Sequence, residues 1–353
     1  MSTPNQSLII VKEPQGMPKY GEDLKLVDSS INLESADLQG GILLKTITMS
    51  LDPTLRNSMR IGQKSYARHY EAGKPIWGFG VSEVLRSEHP KWKKGDLLHS
   101  RETIMAQYSV LTGAQVDAST DEFFAKVDRV PELNITNYVS AAGMPGMTAW
   151  MSLKAIIGDF KKDSTIFVTS AAGAVGSLVC QLAKEAGSKV IASAGSDDKV
   201  RFLQEDCHVD RAFNYKTADV NAELAAFGGE KGIDYFFDNV GGPQLEAYLN
   251  HAAVYGVVIV CGVISAYNAT ADSPAPAIKN FPTSVLVKQL TVRGFIVSSF
   301  LKEQRETFFK SMPGLLRDGK IKFREDVREG MDALGPGMVD LLKGDHNGKM
   351  VVL

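Results

Sequence analysis

Over roughly the first third of the chain, apolar positions come in short runs broken by turn-forming residues, the rhythm of strands rather than helices. Gly41 to Met49, Ile76 to Leu85 and Asp96 to Ser100 read as strands, with Pro90 and the Lys93-Lys94-Gly95-Asp96 turn separating two of them. This predicts a partly open β-barrel. From about Thr148 the rhythm changes to strands alternating with helices: Thr165 to Thr169, Ala174 to Ala186, Lys189 to Ala194, Asp198 to Glu205, Ile233 to Asn239, Gln244 to Ala252 and Tyr255 to Gly262. Such alternation predicts βαβ units around a parallel sheet. The apolar run Val257-Val258-Ile259-Val260 fits a strand covered on both faces. The nearly uncharged stretch Ala252 to Tyr267 is interrupted by glycines and falls short of the roughly 20 apolar residues of a membrane span, so it reads as a buried central strand. After a strand-like Leu290 to Val297, a long helix from Phe300 to Arg317, a shorter one from Met331 to Leu342 and a strand Lys349 to Leu353 are predicted to pack back onto the barrel. The expected fold is therefore α/β. A doubly wound parallel sheet (residues 134–301) is inserted in a discontinuous barrel domain (residues 1–133 and 302–353).

A chain of 353 residues suits two domains, whose interface is the natural place for a ligand. Lys+Arg 39 against Asp+Glu 41 leaves a net charge of -2, which argues against nucleic-acid and membrane-surface partners. Met1 to Ser7 is polar and Leu8 to Val11 is only a short apolar run, so no secretory signal is expected at this start. Cys180, Cys207 and Cys261 stand far apart, which offers neither a disulfide framework nor a four-thiolate zinc lobe and points to a reducing, cytoplasmic compartment.

The strand Thr165 to Thr169 runs into Ser170-Ala171-Ala172-Gly173-Ala174-Val175-Gly176, with a helix predicted from near Ala174. Small residues at this junction let backbone approach a pyrophosphate and let helix pack on strand, and the helix start offers unpaired N–H groups to the anion. The first glycine of the usual GxGxxG is Ala171 here; a small-residue packing turn is the alternative. The second strand ends Ala192-Ser193-Ala194-Gly195 without the acid that holds the ribose of NAD, which leaves room for a 2'-phosphate. Lys199 is the candidate cation for it and Tyr215 a candidate hydroxyl; a solvated helix-face lysine is the alternative, and Asp197 and Asp198 read as helix cap and first turn.

Several motifs in order then resemble one family over almost the whole chain. They are Gly143-Met144-Pro145-Gly146-Met147-Thr148-Ala149, Ala171 to Ser177, Ala194 to Val200, Asn214-Tyr215-Lys216, Phe237-Asp238-Asn239-Val240-Gly241-Gly242, Cys261 to Asn268 and Leu342 to Lys349. The set is similar to the leukotriene dehydrogenase, prostaglandin reductase and alkenal double-bond reductase family, in the zinc-independent part of the medium-chain dehydrogenase/reductase superfamily. The resemblance implies a Rossmann sheet inserted in a GroES-like barrel, NADPH as cofactor and a homodimer. It assigns the 2'-phosphate to Lys199 and Tyr215. It assigns the remaining cofactor contacts to Ala171, Ala172, Gly173, Ala174, Val175, Gly176, Gly195, Asn239, Cys261, Gly262, Val263, Ile264, Ser265, Tyr267, Phe295, Ile296, Val297 and Asn347, with Met147 and Thr148 beside the nicotinamide. Met49 to Arg56 resembles the family's barrel motif except that Thr54 replaces the usual aromatic after the proline, so the family's substrate preferences do not carry over.

No cysteine precedes Cys180, and neither His69 nor His89 is followed by Glu, so the ligands of zinc-dependent relatives are missing and metal-assisted alcohol oxidation is disfavoured. The reaction that fits is hydride transfer from NADPH to the β-carbon of an activated alkene, then protonation of the enolate. Tyr267 is the candidate catalytic residue, as hydrogen-bond donor to the enolate oxygen; a structural tyrosine gating the cleft is its alternative. Arg56, Tyr66 and Trp77 are weaker substrate-pocket candidates, for which barrel-core or surface roles fit as well. The leading expectation is a small-molecule NADPH-dependent alkenal/enone reductase. A zeta-crystallin-like quinone oxidoreductase and a non-catalytic NADPH-binding sensor or structural protein are the alternatives. Thr291 to Val297 is the candidate edge strand for pairing between subunits.

Overall fold

Strand runs parted by tight turns give β1 (Thr3–Ile10), β2 (Leu24–Ile31), β3 (Ile42–Ser50), β4 (Trp77–Ser87), β5 (Leu97–Ile104), β6 (Tyr108–Leu111) and β7 (Phe124–Lys126), with short helices α1 (Leu55–Ser58) and α2 (Gly113–Ala118) between them. The computed structural model describes residues 1–61, 68–119 and 124–353. These form two compact units, Met1–Gly143 with Glu325–Leu353, and Met144–Arg324.

The second unit comprises α3 (Met144–Ile156), β8 (Thr165–Val168), α4 (Gly176–Glu185), β9 (Lys189–Ala194), α5 (Asp197–Glu205), β10 (Arg211–Asn214), α6 (Val220–Gly228), β11 (Ile233–Asp238), α7 (Gly242–His251), β12 (Ala252–Val260), α8 (Phe281–Lys288), β13 (Thr291–Gly294) and α9 (Ser298–Arg317). Its six strands are all parallel and run β10-β9-β8-β11-β12-β13. Counted from β8 this is the 3-2-1-4-5-6 order of the doubly wound fold, whose switch point lies between β8 and β11. Every residue of β8 and β11 is buried, as helices on both faces require. Phe167, Phe236 and Tyr248 stack in the core at centroid distances of 5.0 and 4.6 Å.

The first unit is completed by β14 (Glu325–Arg328), α10 (Leu334–Lys343) and β15 (Lys349–Val352). Its main sheet runs β14-β15-β3-β4-β5-β7, with β6 also on β3, and is antiparallel apart from β14 on β15. Leu8, Leu24, Met49, Leu55, Met105, Met338 and Met350 pack as one buried cluster. Burial of Lys349 is met by Asp52, whose Oδ1 lies 2.9 Å from Nζ, and by the Leu51 carbonyl, which pins β15 to the end of β3.

Several sequence expectations shift. The units part at 143/144 and 324/325, rather than at 133/134 and 301/302, for two local reasons. A 3-10 turn at Ile135–Val139 is fastened within the first unit, Asn137 Nδ2 and Ser140 Oγ both donating to Glu325 Oε1. The long helix α9, expected on the barrel, packs instead on α3, with Trp150 edge-on to Phe308 at 6.3 Å. The stretch Ala252 to Tyr267 is strand only to Val260, and Val254 and Tyr255 are exposed. The helix expected from Ala174 starts at Gly176, because Ser170 to Val175 form a non-helical turn.

Candidate functional site

At the switch point, β8 and β11 end side by side and their last residues are tied together. Thr169 Oγ1 donates to Asp238 Oδ1 at 3.0 Å, and accepts from Asn239 N at 2.9 Å. Asn239 Nδ2 donates to the Thr169 carbonyl at 2.8 Å. The same Asp238 oxygen accepts from the Val240 and Gly241 amides, both at 2.9 Å. Burial pushes the Asp238 carboxyl above its ordinary range even against these three donors. Its main-chain carbonyl accepts from Cys261 and Gly262, at 2.8 and 3.1 Å, so the segment after β12 is hung from the end of β11.

That segment carries Tyr267. Ser265 fixes it further, its Oγ donating to the Val240 carbonyl at 2.6 Å. A 3-10 turn, Ile264–Ala266, then places Tyr267 half-buried. A methyl group on Gly262 would stand 3.3 Å from Tyr267 Oη and 3.2 Å from the Asn239 carbonyl, so the glycine makes room for the phenol. Burial, then the neighbouring Asp238, pushes the Cys261 thiol up to about 12.

The turn after β8 is built for close backbone approach. Ser170 adopts φ of 48°, and Ala171 N donates to the Ser193 carbonyl at 2.9 Å. A methyl on Gly176 would fall 2.5 Å from the Ser170 carbonyl oxygen and 2.7 Å from Ala171 Cα, so only glycine lets α4 start against this turn. Ala171 is fully buried, and its side chain is accommodated where the usual first glycine would stand. A tight small-residue turn leading into a helix N-terminus fits a pyrophosphate.

Beside it, α5 starts with Ser196 as cap, its Oγ accepting from Lys199 N at 3.4 Å. Lys199 is half-buried and Tyr215 is 40% exposed. A methyl on Gly195 would lie 3.4 Å from Tyr215 Oη and 3.6 Å from Lys216 Cε, so both side chains fold over this glycine. Phe295 meets Phe237 edge-on at 6.5 Å and stacks on Phe300 at 5.7 Å, with Ile296 exposed and Val297 half-buried after it. Met147 and Thr148 are buried on α3, Thr148 Oγ1 donating to the Met144 carbonyl at 2.8 Å.

The remaining candidates belong to the first unit. Asn347 is exposed, its N–H donating to Asp326 Oδ2 at 3.3 Å. Arg56 is buried and its Nη2 donates to the carbonyls of Pro14 and Gly16 at 3.2 and 2.8 Å, which fits the barrel-core alternative. Trp77 is half-buried, edge-on to Tyr70 at 5.1 Å, with the Arg68 guanidinium 5.6 Å from its ring centre. It lines a cavity of about 380 Å³ with Arg68, Ser100, Arg101, Glu102 and Ile104. Tyr66 lies outside the described residues. Thr169 and Asp238 carry the site's framework without having been candidates; an aspartate closing the apolar run Tyr235-Phe236-Phe237 was the signal available for one of them.

Residues 6–118 match the family model described as the N-terminal domain of oxidoreductase, and residues 174–315 the one described as zinc-binding dehydrogenase. The chain is 34% identical to the NADP(+)-dependent 2-alkenal reductase of Nicotiana tabacum, over 99% of this chain and 97% of that one. It is equally 34% identical to (+)-pulegone reductase of Mentha piperita, over 99% and 98%. Among solved structures it is similar to CurA of Vibrio vulnificus in complex with NADPH, with a TM-score of 0.86, 30% identity and 98% of each chain covered.

Proposed function

This chain belongs to the medium-chain dehydrogenase/reductase family that holds the leukotriene dehydrogenases, prostaglandin reductases and alkenal double-bond reductases, and from that premise we propose that it reduces the C=C bond of α,β-unsaturated aldehydes and ketones with NADPH. The observation that carries the reading is the knot of Thr169, Asp238 and Asn239. It joins the phosphate-type turn to the segment bearing Tyr267 at the switch point of the sheet.

When bound, NADPH supplies the hydride that the alkene takes up at its β-carbon, and the resulting enolate is protonated at the α-carbon. The chain's own part is to hold the reactants and to receive the developing charge. The turn from Ala171 to Gly176 holds the pyrophosphate against the start of α4, and Lys199 and Tyr215, beside Gly195, hold the 2'-phosphate. Asn239, Cys261 to Ser265, Phe295 to Val297, Met147 and Thr148 supply the remaining contacts within the second unit. The Tyr267 hydroxyl donates to the substrate carbonyl oxygen as it gains charge, a contribution of the order of 10²–10³ in rate for one such donor. No Asp or His in the site's motifs is an evident acid, so the reading takes the α-carbon proton from water. The reading includes no zinc, since no cysteine precedes Cys180 and no histidine is followed by Glu.

The assembly we propose is a homodimer paired along β13, the outer strand of the parallel sheet, all four of whose residues are exposed. Leu286 and Val287 on the adjacent α8 are 76% and 69% exposed, an apolar surface that pairing would cover. No helix among the described residues is long and apolar enough to cross a membrane. The three free cysteines support a reducing, cytoplasmic setting.

The test is initial NADPH oxidation with trans-2-alkenals, but-3-en-2-one-type enones and a quinone side by side, with the saturated carbonyl product identified. Alkene turnover that is poor with NADH supports the reading. Preference for the quinone moves the chain to a quinone oxidoreductase, and tight NADPH binding without turnover of any acceptor moves it to a cofactor sensor.

A further inference from the structure

Two acids stand in the first turn of α5, close in sequence to the candidate 2'-phosphate ligands. A carboxylate there suits a ribose with two hydroxyls and repels a phosphate. Asp198 is engaged by cations, Arg201 Nη2 at 3.2 Å and Arg324 Nη1 at 3.4 Å. Asp197 is held differently. Its Oδ1 accepts from Asn214 Nδ2 at 2.8 Å, across from the end of β10. The other end of the same amide is also used, Asn214 Oδ1 accepting from the Lys216 N–H at 3.1 Å. The Asn214 main-chain carbonyl then receives the Thr217 and Ala218 amides at 3.1 and 2.9 Å, which closes the turn carrying Tyr215 and Lys216. Lys216 is exposed, makes no ion pair among the described residues, and its stem lies with the Tyr215 ring over Gly195.

We propose that Asn214 is a positioning residue for the choice of NADPH over NADH. Its amide nitrogen ties the Asp197 carboxylate to β10, and its amide oxygen sets the turn that presents Tyr215 and Lys216 to the 2'-phosphate. The inference rests on the NADPH reading above. With Asn214 removed, Asp197 is released as a carboxylate able to accept from both ribose hydroxyls of NADH, and the same charge opposes the 2'-phosphate. Lys216 is on this account a second cation of the subsite, added to Lys199.

The experiment is a fluorescence titration of NADPH and NADH without substrate, with displacement by adenosine 2',5'-bisphosphate, on the unaltered chain, Asn214→Ala, Asn214→Asp, Asp197→Ala and the Asn214→Ala/Asp197→Ala double variant. Asn214→Ala should weaken NADPH and the bisphosphate about tenfold while NADH is unchanged or tighter. Asn214→Asp, of the same size and with a second carboxylate, should weaken NADPH further, and the double variant should recover most of the loss seen in Asn214→Ala. Equal weakening of both cofactors, or no recovery in the double variant, overturns the proposal while leaving the reductase reading in place. An unaltered chain that binds NADH as well as NADPH overturns both.

Discussion

At Gly262 a single absent methyl group leaves the space in which the Tyr267 hydroxyl sits, 3.3 Å from where that carbon would be. Gly262→Ala is therefore expected to displace the phenol and to lower kcat much as Tyr267→Phe does, about 10²–10³-fold, with NADPH affinity nearly unchanged. Steady-state kinetics with an enone, beside a cofactor titration, separates the two quantities; a matching loss of cofactor affinity would instead mean that the whole segment had moved. Cys261 offers a pH test. Its thiol, pushed up to about 12 by burial and then by Asp238, is neutral at physiological pH, so alkylation by iodoacetamide in the folded protein should be slow at pH 8 and quicken only as pH climbs towards that value. The neutral thiol is the form the fold favours, so its contribution to stability is complete below the unfolded value and declines as pH rises through the folded one. Fast labelling at pH 7 would contradict this. Tyr267, Lys199 and Tyr215 could be proposed from the sequence because local motifs carry them. The partners of Thr169 and Asp238 were not, because they are brought together by the order β8-β11, which pairs strands distant in sequence.

For elements, the junction of β8, turn and α4 shows how far local pattern reaches. Alternating apolar segments and the small-residue turn announced strand and helix in the right order. The helix start came two residues late, because Ser170 to Val175 are spent on the turn itself. Gly176→Ala places a carbon 2.5 Å from the Ser170 carbonyl. It should cost roughly 1–3 kcal/mol in stability by overpacking and abolish the thermal stabilisation conferred by NADPH. Differential scanning fluorimetry with and without cofactor reads both, and a variant still stabilised by NADPH would show that the turn tolerates the shift. The helix α3 left no comparable trace. Its buried residues include Pro145, Gly146, Met147, Thr148, Ala149, Met151, Ser152 and Leu153, so no polar stripe marks its period. Helix α8 turns only the half-buried Phe281 and Val285 to the core and leaves Leu286 and Val287 exposed, so its apolar positions do not follow its inward face.

Across the whole molecule, the inserted doubly wound sheet and the discontinuous barrel unit were both readable, since a change of rhythm separates them in the sequence. Their limits were not, because Glu325 is claimed by Asn137 and Ser140, and α9 by α3, through contacts that no local pattern records. The buried Lys349–Asp52 pair is the fastening of the returning strand. Lys349→Met should destabilise the barrel unit by about 3–5 kcal/mol, since Asp52 would be left buried without its cation; chemical denaturation measures this, and Asp52→Asn in the same background should recover part of the loss. If β13 pairs between copies, light scattering should give twice the chain mass, and Val292→Pro, which strikes that exposed edge, should give the monomer.

The place of β15 between β14 and β3 also sets an order of events during synthesis. A ribosome that has released β3 must still make everything up to Lys349 before that neighbour exists, an interval on the order of 15–60 s at about 5–20 residues per second. The unit Met144–Arg324 is contiguous and emerges whole within that interval. The usual amino-terminal-first sequence is therefore inverted in this chain: the nascent polypeptide carries a finished nucleotide-binding unit behind an unfinished barrel. Until the returning strand arrives, the edge at Met49 and Ser50 lacks the partner that covers it in the finished fold.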